Sequence, residues 1–193
     1  MSIDKDTVKH ISKLARISLE EKKADSLSKD LTSIMKFIEN LLNLTEEVKK
    51  EICWQIGRPI SQCGSELRGF EERSRYMVEV AEECLADVTA RKNDEFDNFL
   101  SKDPLGTIFI IAPWNYPFQL LMTPLIGAIS AGNTAILKPS EISSNSSKLV
   151  KDIINNNFDP GLIKVVEGDK YITQDLLTFN FNHIFFTGST EVG

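Results

Sequence analysis

Two short apolar runs flanking one helix-length of residues, within Gly106–Glu141 (GTIFIIAPWNYPFQLLMTPLIGAISAGNTAILKPSE), constrain this chain more than any other feature. The first run, Thr107 to Ala112, is rich in isoleucine and too brief for a helix, and Pro113 breaks it. Apolar residues then recur at helical steps (Leu120, Leu121, Pro124, Leu125, Ala128, Ile129), and Gly132-Asn133 is a helix C-cap signal. The second run, Thr134 to Leu137, ends in Lys138-Pro-Ser-Glu141. The pattern predicts a β–α–β unit. Asn115, Lys138 and Glu141 follow the two strand ends, which is where open parallel sheets place their ligands.

The alternation continues downstream. A helix is expected over Ser143–Asn157, a strand over Leu162–Glu167, a helix over Ile172–Phe179 and a strand over His183–Thr187. Gly188 to Gly193 would open a further helix. Continuously apolar strands alternating with helices predict a parallel sheet covered on both faces, with right-handed crossovers. The expected class is therefore α/β: a partial Rossmann-like parallel sheet with flanking helices, preceded by an α-helical hairpin.

That hairpin is read in Met1 to about Val48. Asp4 or Asp6 can cap a first helix carrying Val8, Ile11, Leu14 and Ala15. Ser18-Leu-Glu-Glu21 is a capping box that starts a second helix. Its stripe, Leu27, Leu31, Ile34, Ile38 and Leu41, is more apolar surface than two short helices can bury by themselves. From about Lys49 the character changes. Ile52 to Pro59 reads as a helix closed by Gly57 and Pro59. Glu66 to Ala90 reads as one long helix with Leu67, Phe70, Tyr76, Met77, Val80, Ala81 and Leu85 on its apolar side. Glu71, Glu72 and Arg75 share its solvent face, and Glu95 to Lys102 is a short connection or an edge strand. Three segments are expected: 1–48, 49–103 and 104–193.

Composition excludes some functions. With 22 basic against 28 acidic residues the net charge is -6, which argues against a nucleic-acid surface spread over the molecule. The start, MSIDKDTVKH, lacks the apolar core of a secretory signal. Phe118 to Ala131, the most apolar stretch, is interrupted by Pro124 and too short to span a bilayer. A cytoplasmic location is expected. Cys53, Cys63 and Cys84 make neither an even disulfide set nor a metal-ligand spacing, so free thiols and no metal site are expected.

Four pieces of wording, PWNYP at 113–117, GAISAGN at 127–133, ILKPSE at 136–141 and IFFTGSTEVG at 184–193, resemble the aldehyde dehydrogenase superfamily, in the family's order. The resemblance starts near Glu51, runs to the last residue and covers well under half of a complete member. From about residue 104 the wording is nearest the fatty-aldehyde branch. GRPISQCGSELRGFEERSRYM is nearer a succinate-semialdehyde-dehydrogenase-like branch, so the chain reads as a mosaic. Residues 1–48 are similar instead to the N-terminal half of the C subunit of tRNA-dependent amidotransferases, with His10, Leu14, Ala15 and Arg16 in its HIxKLAR-like pattern.

The first resemblance implies an aldehyde substrate and NAD, with NADP also open. It implies that the Asn115 amide donates to the oxyanion formed when a cysteine thiolate attacks an aldehyde, a contribution of about 3–4 kcal/mol. Trp114, Lys138, Glu141, Gly168, Gly188, Ser189, Thr190, Val192 and Gly193 are then the cofactor contacts. Glu141 would accept from the adenosine ribose hydroxyls and repel a 2′-phosphate, a lean towards NAD. On pattern alone Gly188 to Gly193 is a weak signal that could equally begin a P-loop, and Gly168 could simply serve a turn. The family's general base and nucleophilic cysteine lie downstream of the GSTxVG loop, so an inactive, fragment-like dehydrogenase is the first expectation. The second is an accessory protein whose residues 1–48 dock on an amidase subunit. The third is a fusion or mosaic without a joint function. An open sheet edge would favour homo-oligomers or aggregates.

Overall fold

The computed structural model describes residues 32–41, 43–92 and 96–193. The expectations placed on residues 1–31, including both capping signals, His10, Leu27 and Leu31, lie outside these.

A helix over 32–41, α1, leads into α2 (Thr45–Ile56). Gly57 closes α2 in the left-handed conformation (φ 67), its N–H donating to the Cys53 carbonyl, and Pro59 then starts α3 (Ile60–Leu85). Only glycine takes that φ without strain, so the turn between the two helices is fixed by sequence. The long helix is shorter at its C-terminal end than its apolar pattern predicts. It stops at Leu85, and Val88–Lys92 forms strand β1, paired antiparallel with β2 (Asp97–Leu100). Val88, Thr89 and Ala90 belong to this hairpin rather than to the helix: two β-branched residues favour the extended pairing. Within the connection expected at Glu95–Lys102, Asp97–Leu100 is the second arm of the same ribbon.

The main sheet has four parallel strands: β3 (Thr107–Ile111), β4 (Thr134–Lys138), β5 (Ile163–Val165) and β6 (His183–Phe186), in the order β5-β4-β3-β6. Helices α4 (Gln119–Ser130), α5 (Ser144–Asn157) and α6 (Lys170–Leu176) connect them. Each expected strand and connecting helix of this half is present, with ends displaced by up to three residues, whereas the helix expected to open at Gly188–Gly193 is a turn, held by the Val192 and Gly193 N–H groups donating to the Ser189 carbonyl. The two central strands, β3 and β4, have both faces covered: Phe109, Ile110 and Leu137 are fully buried. The edge strands depart from the expected two-sided cover, with Lys164 of β5 and His183, Ile184 and Phe185 of β6 exposed, because no helix lies over that part of the sheet. One face of β3, through Ile108 and Ile110, joins the core with α4, while Phe109 on the other face stacks on Phe181.

The core runs without a break from Ile34 through Phe70 and Leu125 to Val165. Ile34, Ile38 and Leu41 of the α1 stripe are therefore buried within this same chain. Phe37 packs on Phe158, and Asn40 donates to the Asn157 side chain at 2.7 Å.

Two asparagines tie the β–α–β unit together. Asn133 is buried; its Oδ1 accepts from Gly106 N–H and its Nδ2 donates to the Ala128 carbonyl. Asn182 Oδ1 accepts from Thr107 N–H. Between them Gly106 has φ 122, and a Cβ there would lie 2.4 Å from Asn182 Oδ1. Gly106→Ala is expected to cost about 3 kcal/mol, because the strained φ adds to the displaced Asn182 bond. Urea unfolding of the two chains measures it, and a loss below about 1 kcal/mol would show that the turn relaxes freely.

Candidate functional site

In β3 and β4, Ile111 pairs with Lys138, and in β3 and β6 it pairs with Phe186. The strands thus end level, and the segments leaving them meet at one edge of the sheet. After β3 come Trp114 and Asn115, after β4 Glu141, after β5 Gly168, and after β6 Gly188 to Gly193. The chain leaves β3 for β4 and β5 on one side and returns to β6 on the other, so β3 and β6 flank the point where strand order reverses. Crevices at such points, outside the strands' carboxyl ends, are where open α/β sheets bind nucleotides.

Lys138 is the most constrained polar residue of this edge. It is 2% exposed, its Nζ donates to the Pro139 carbonyl at 2.7 Å, and Glu141 lies 3.8 Å away. Burial holds the ammonium below the usual lysine range, opposed by the Glu141 and Asp169 carboxylates. An ammonium carries three donors and Glu141 is too far for a full hydrogen bond, so donor capacity remains for a ligand oxygen. Beside it a cleft of about 240 Å³ is lined by Pro139, Ser140, Glu141, Glu167, Gly168 and Asp169, among others. That is less than a whole ligand pocket and matches one part of a dinucleotide. Its carboxylates disfavour a further phosphate, whereas Glu141 can accept from ribose hydroxyls. The donor set fits one part of a dinucleotide.

Gly168 has φ 145, and a Cβ there would meet Ile172 at 2.6 Å. Asp169 accepts from the N–H groups of Tyr171 and Ile172, capping α6. Gly188 and Gly193 are both placed over the Phe186 ring, at 2.4 and 2.6 Å from where their Cβ atoms would be. A side chain at either position would displace the Phe186 ring. Ser189, Thr190 and Val192 are exposed in a turn in which Gly193 N–H donates to the Ser189 carbonyl.

Asn115 is exposed in the bend between β3 and α4. Its carbonyl accepts from Arg58 Nη2 at 2.7 Å, and its side-chain amide has no partner among the described residues. Trp114, beside it, is half exposed. Sequence reasoning missed what holds this bend. Glu66 of α3 has a fully buried side chain, accepts from the backbone N–H groups of Phe118 and Gln119, and pairs with Arg58 at 3.0 Å. A signal existed: Glu66 falls at helical spacing among Cys63, Leu67 and Phe70, a charge within an apolar stripe.

The cysteines lie elsewhere. Cys63 is buried at the start of α3, where burial pushes its thiol up, with Cys53 nearby adding to the effect. Cys53 is half-buried on α2 and Cys84 exposed near the end of α3. Among the described residues no group of three or more His, Cys, Asp or Glu could hold a metal, and no helix is long and apolar enough to cross a membrane. A larger apolar groove, about 740 Å³, lies where α4 stops short of β6; Ile108, Leu120, Pro124, His183 and Phe185 are among its lining. None of the residues singled out for cofactor or oxyanion contact lines it.

A parallel sheet with its polar residues gathered at the carboxyl ends of its strands, across a reversal of strand order, defines a dinucleotide-binding α/β protein. The chain belongs to the aldehyde dehydrogenase family, whose model matches residues 1–193. It is 53% identical over 96 residues to 4,4'-diaponeurosporen-aldehyde dehydrogenase of Staphylococcus aureus, covering 50% of this chain and 21% of that one. It is 36% identical over 178 residues to aldehyde dehydrogenase family 3 member A2 of Macaca fascicularis, covering 86% and 36%. The fold superposes on the crystal structure of an NAD-dependent aldehyde dehydrogenase from Sinorhizobium meliloti with a TM-score of 0.78 and 26% identity, over 100% of this chain and 39% of that one. The chain thus spans well under half the length of these relatives.

Proposed function

We propose that this chain supplies the NAD-holding edge of the aldehyde dehydrogenase fold and its oxyanion donor. The observation that carries the reading is the convergence of Asn115, Lys138 with Glu141, Gly168 and the 188–193 turn on one sheet edge. Lys138 and Glu141 hold the adenosine ribose, Gly168 borders the same cleft, and Gly188, Ser189, Thr190, Val192 and Gly193 form the turn beside the pyrophosphate. A bound nicotinamide would supply a hydride acceptor, and Asn115 with Trp114 would border that end of the site. NADP is held less well because Glu141, Glu167 and Asp169 oppose a further phosphate.

Calorimetric titration with NAD and with NADP tests this. Binding of NAD at or below about 1 mM, and weaker binding of NADP, is expected; no heat with either ends the reading. Lys138→Met is expected to weaken NAD at least tenfold, by about 1.4 kcal/mol or more. Its fold stability should stay within about 1 kcal/mol of the parent, because a buried charge exchanged for an apolar group of similar length is often close to neutral. Equal affinity in the variant would remove Lys138 from the site.

The outer edge of β6, with Ile184 and Phe185 exposed beside the groove, makes self-association of the chain part of this reading. A sharp monomer peak in size-exclusion chromatography at about 0.1 mM contradicts it. A second reading, docking on an amidase, rests on the wording of residues 1–48. It competes with the burial of Ile34, Ile38 and Leu41 in the chain's own core. Co-expression with an amidotransferase A subunit decides it, and absence of a complex closes it. The third reading, a mosaic without a joint function, competes with a family match that includes residues 1–48. Sequencing the genomic locus across Val48 distinguishes a natural fusion from an artefact.

A further inference from the structure

The bend that presents Trp114 and Asn115 is tied at two points to a single buried carboxylate. Glu66 Oε1 accepts from the N–H groups of Phe118 at 2.9 Å and Gln119 at 3.0 Å, where α4 begins. Phe118 makes no side-chain cap, so this distant carboxylate takes the part that a local Ser or Asp would ordinarily play. Glu66 Oε2 accepts from Arg58 Nη1 at 3.0 Å, and Arg58 Nη2 donates to the Asn115 carbonyl at 2.7 Å. The guanidinium also lies over the Tyr116 ring, 4.3 Å from its centroid.

A local cap would satisfy the start of α4 without burying a charge. Burying Glu66 carries a desolvation cost, offset here by Arg58 and two backbone donors. What the distant pair adds is a rigid link: the planar guanidinium fixes the carboxylate and the Asn115 backbone relative to one another. We propose that Glu66 and Arg58 are positioning residues, which hold the Trp114–Asn115 bend in the orientation its site contacts require. The role of the bend rests on the dinucleotide and oxyanion reading above; the anchoring does not.

The test uses Trp54→Phe, which removes an 86% exposed indole and leaves Trp114 as the single tryptophan of the original two. In that background Arg58→Ala is expected to raise the acrylamide quenching constant of Trp114 about twofold and the NAD dissociation constant about tenfold, as for loss of a charge-assisted hydrogen bond. Free guanidinium at about 20 mM, far below denaturing levels, should restore both, and sodium chloride at the same concentration should restore neither. Arg58→Lys, which keeps charge but not the fork, should loosen the bend partly, and it provides the reading if the alanine variant does not fold. Unchanged quenching in a folded variant, or no response to guanidinium, overturns the proposal. If quenching responds as expected while the parent chain fails to bind NAD, the anchor stands and the dinucleotide reading falls.

Discussion

Mixed with NAD and an aliphatic aldehyde, the purified 193-residue chain is expected to form NADH at no more than about a millionth of an ordinary dehydrogenase rate. The oxyanion donor at Asn115 contributes a hundred- to a thousandfold at most, and only once a nucleophile has attacked the carbonyl. The chain's three thiols sit on helices and none follows a strand of the sheet. Cys63, the deepest, is wholly buried with its sulfur directed to the carbonyls of Arg58 and Pro59. Burial keeps it a thiol rather than the thiolate that captures aldehydes. None of these three sulfurs is placed beside the sheet edge to capture an aldehyde for hydride transfer. Absorbance of NADH follows the reaction directly. Turnover of about one per second would overturn this account, and its loss in Cys63→Ser would name the sulfur responsible.

Glu66→Ala is expected to lower fold stability by about 3–5 kcal/mol, a large share of the roughly 5–15 kcal/mol a domain possesses. The substitution leaves the Arg58 charge without its partner and two backbone donors at the head of α4 unsatisfied. Equilibrium urea unfolding measures it, and a loss under about 1 kcal/mol would mean that water or another group replaces the carboxylate. The same residue gives a pH signature. Burial pushes the Glu66 carboxyl above its ordinary value, opposed by the Gln119 and Phe118 amides and by Arg58. The folded chain therefore binds this proton more readily than the unfolded one. Between the ordinary carboxyl range and the raised value, wild-type stability relative to Glu66→Gln should rise as pH falls and decline as pH rises. A difference independent of pH would show that burial does not govern this group.

The parallel half of the fold was legible because its signals are local. Isoleucine-rich runs bounded by proline and glycine, separated by helix-length segments, leave few alternatives to β–α–β. The register of the sheet then carries Asn115, Lys138 and Gly168 to one edge without further information. The family wording was equally legible, since three of its four pieces lie at or just after the carboxyl ends of strands and the fourth, GAISAGN, closes α4. The hairpin at Val88–Leu100 was not: its first arm continues the apolar spacing of α3, and only the pairing partner distinguishes strand from helix there.

What the sequence determined by itself is the alternation of strands and helices, and with it the edge of the sheet at which chemistry can occur. Tertiary structure alone decided what holds that edge in place. Glu66 meets the start of α4 across 52 positions of chain, and Arg58 meets Asn115 across 57. No periodicity encodes such a meeting, because a charge is retained in a core only by partners that folding brings to it.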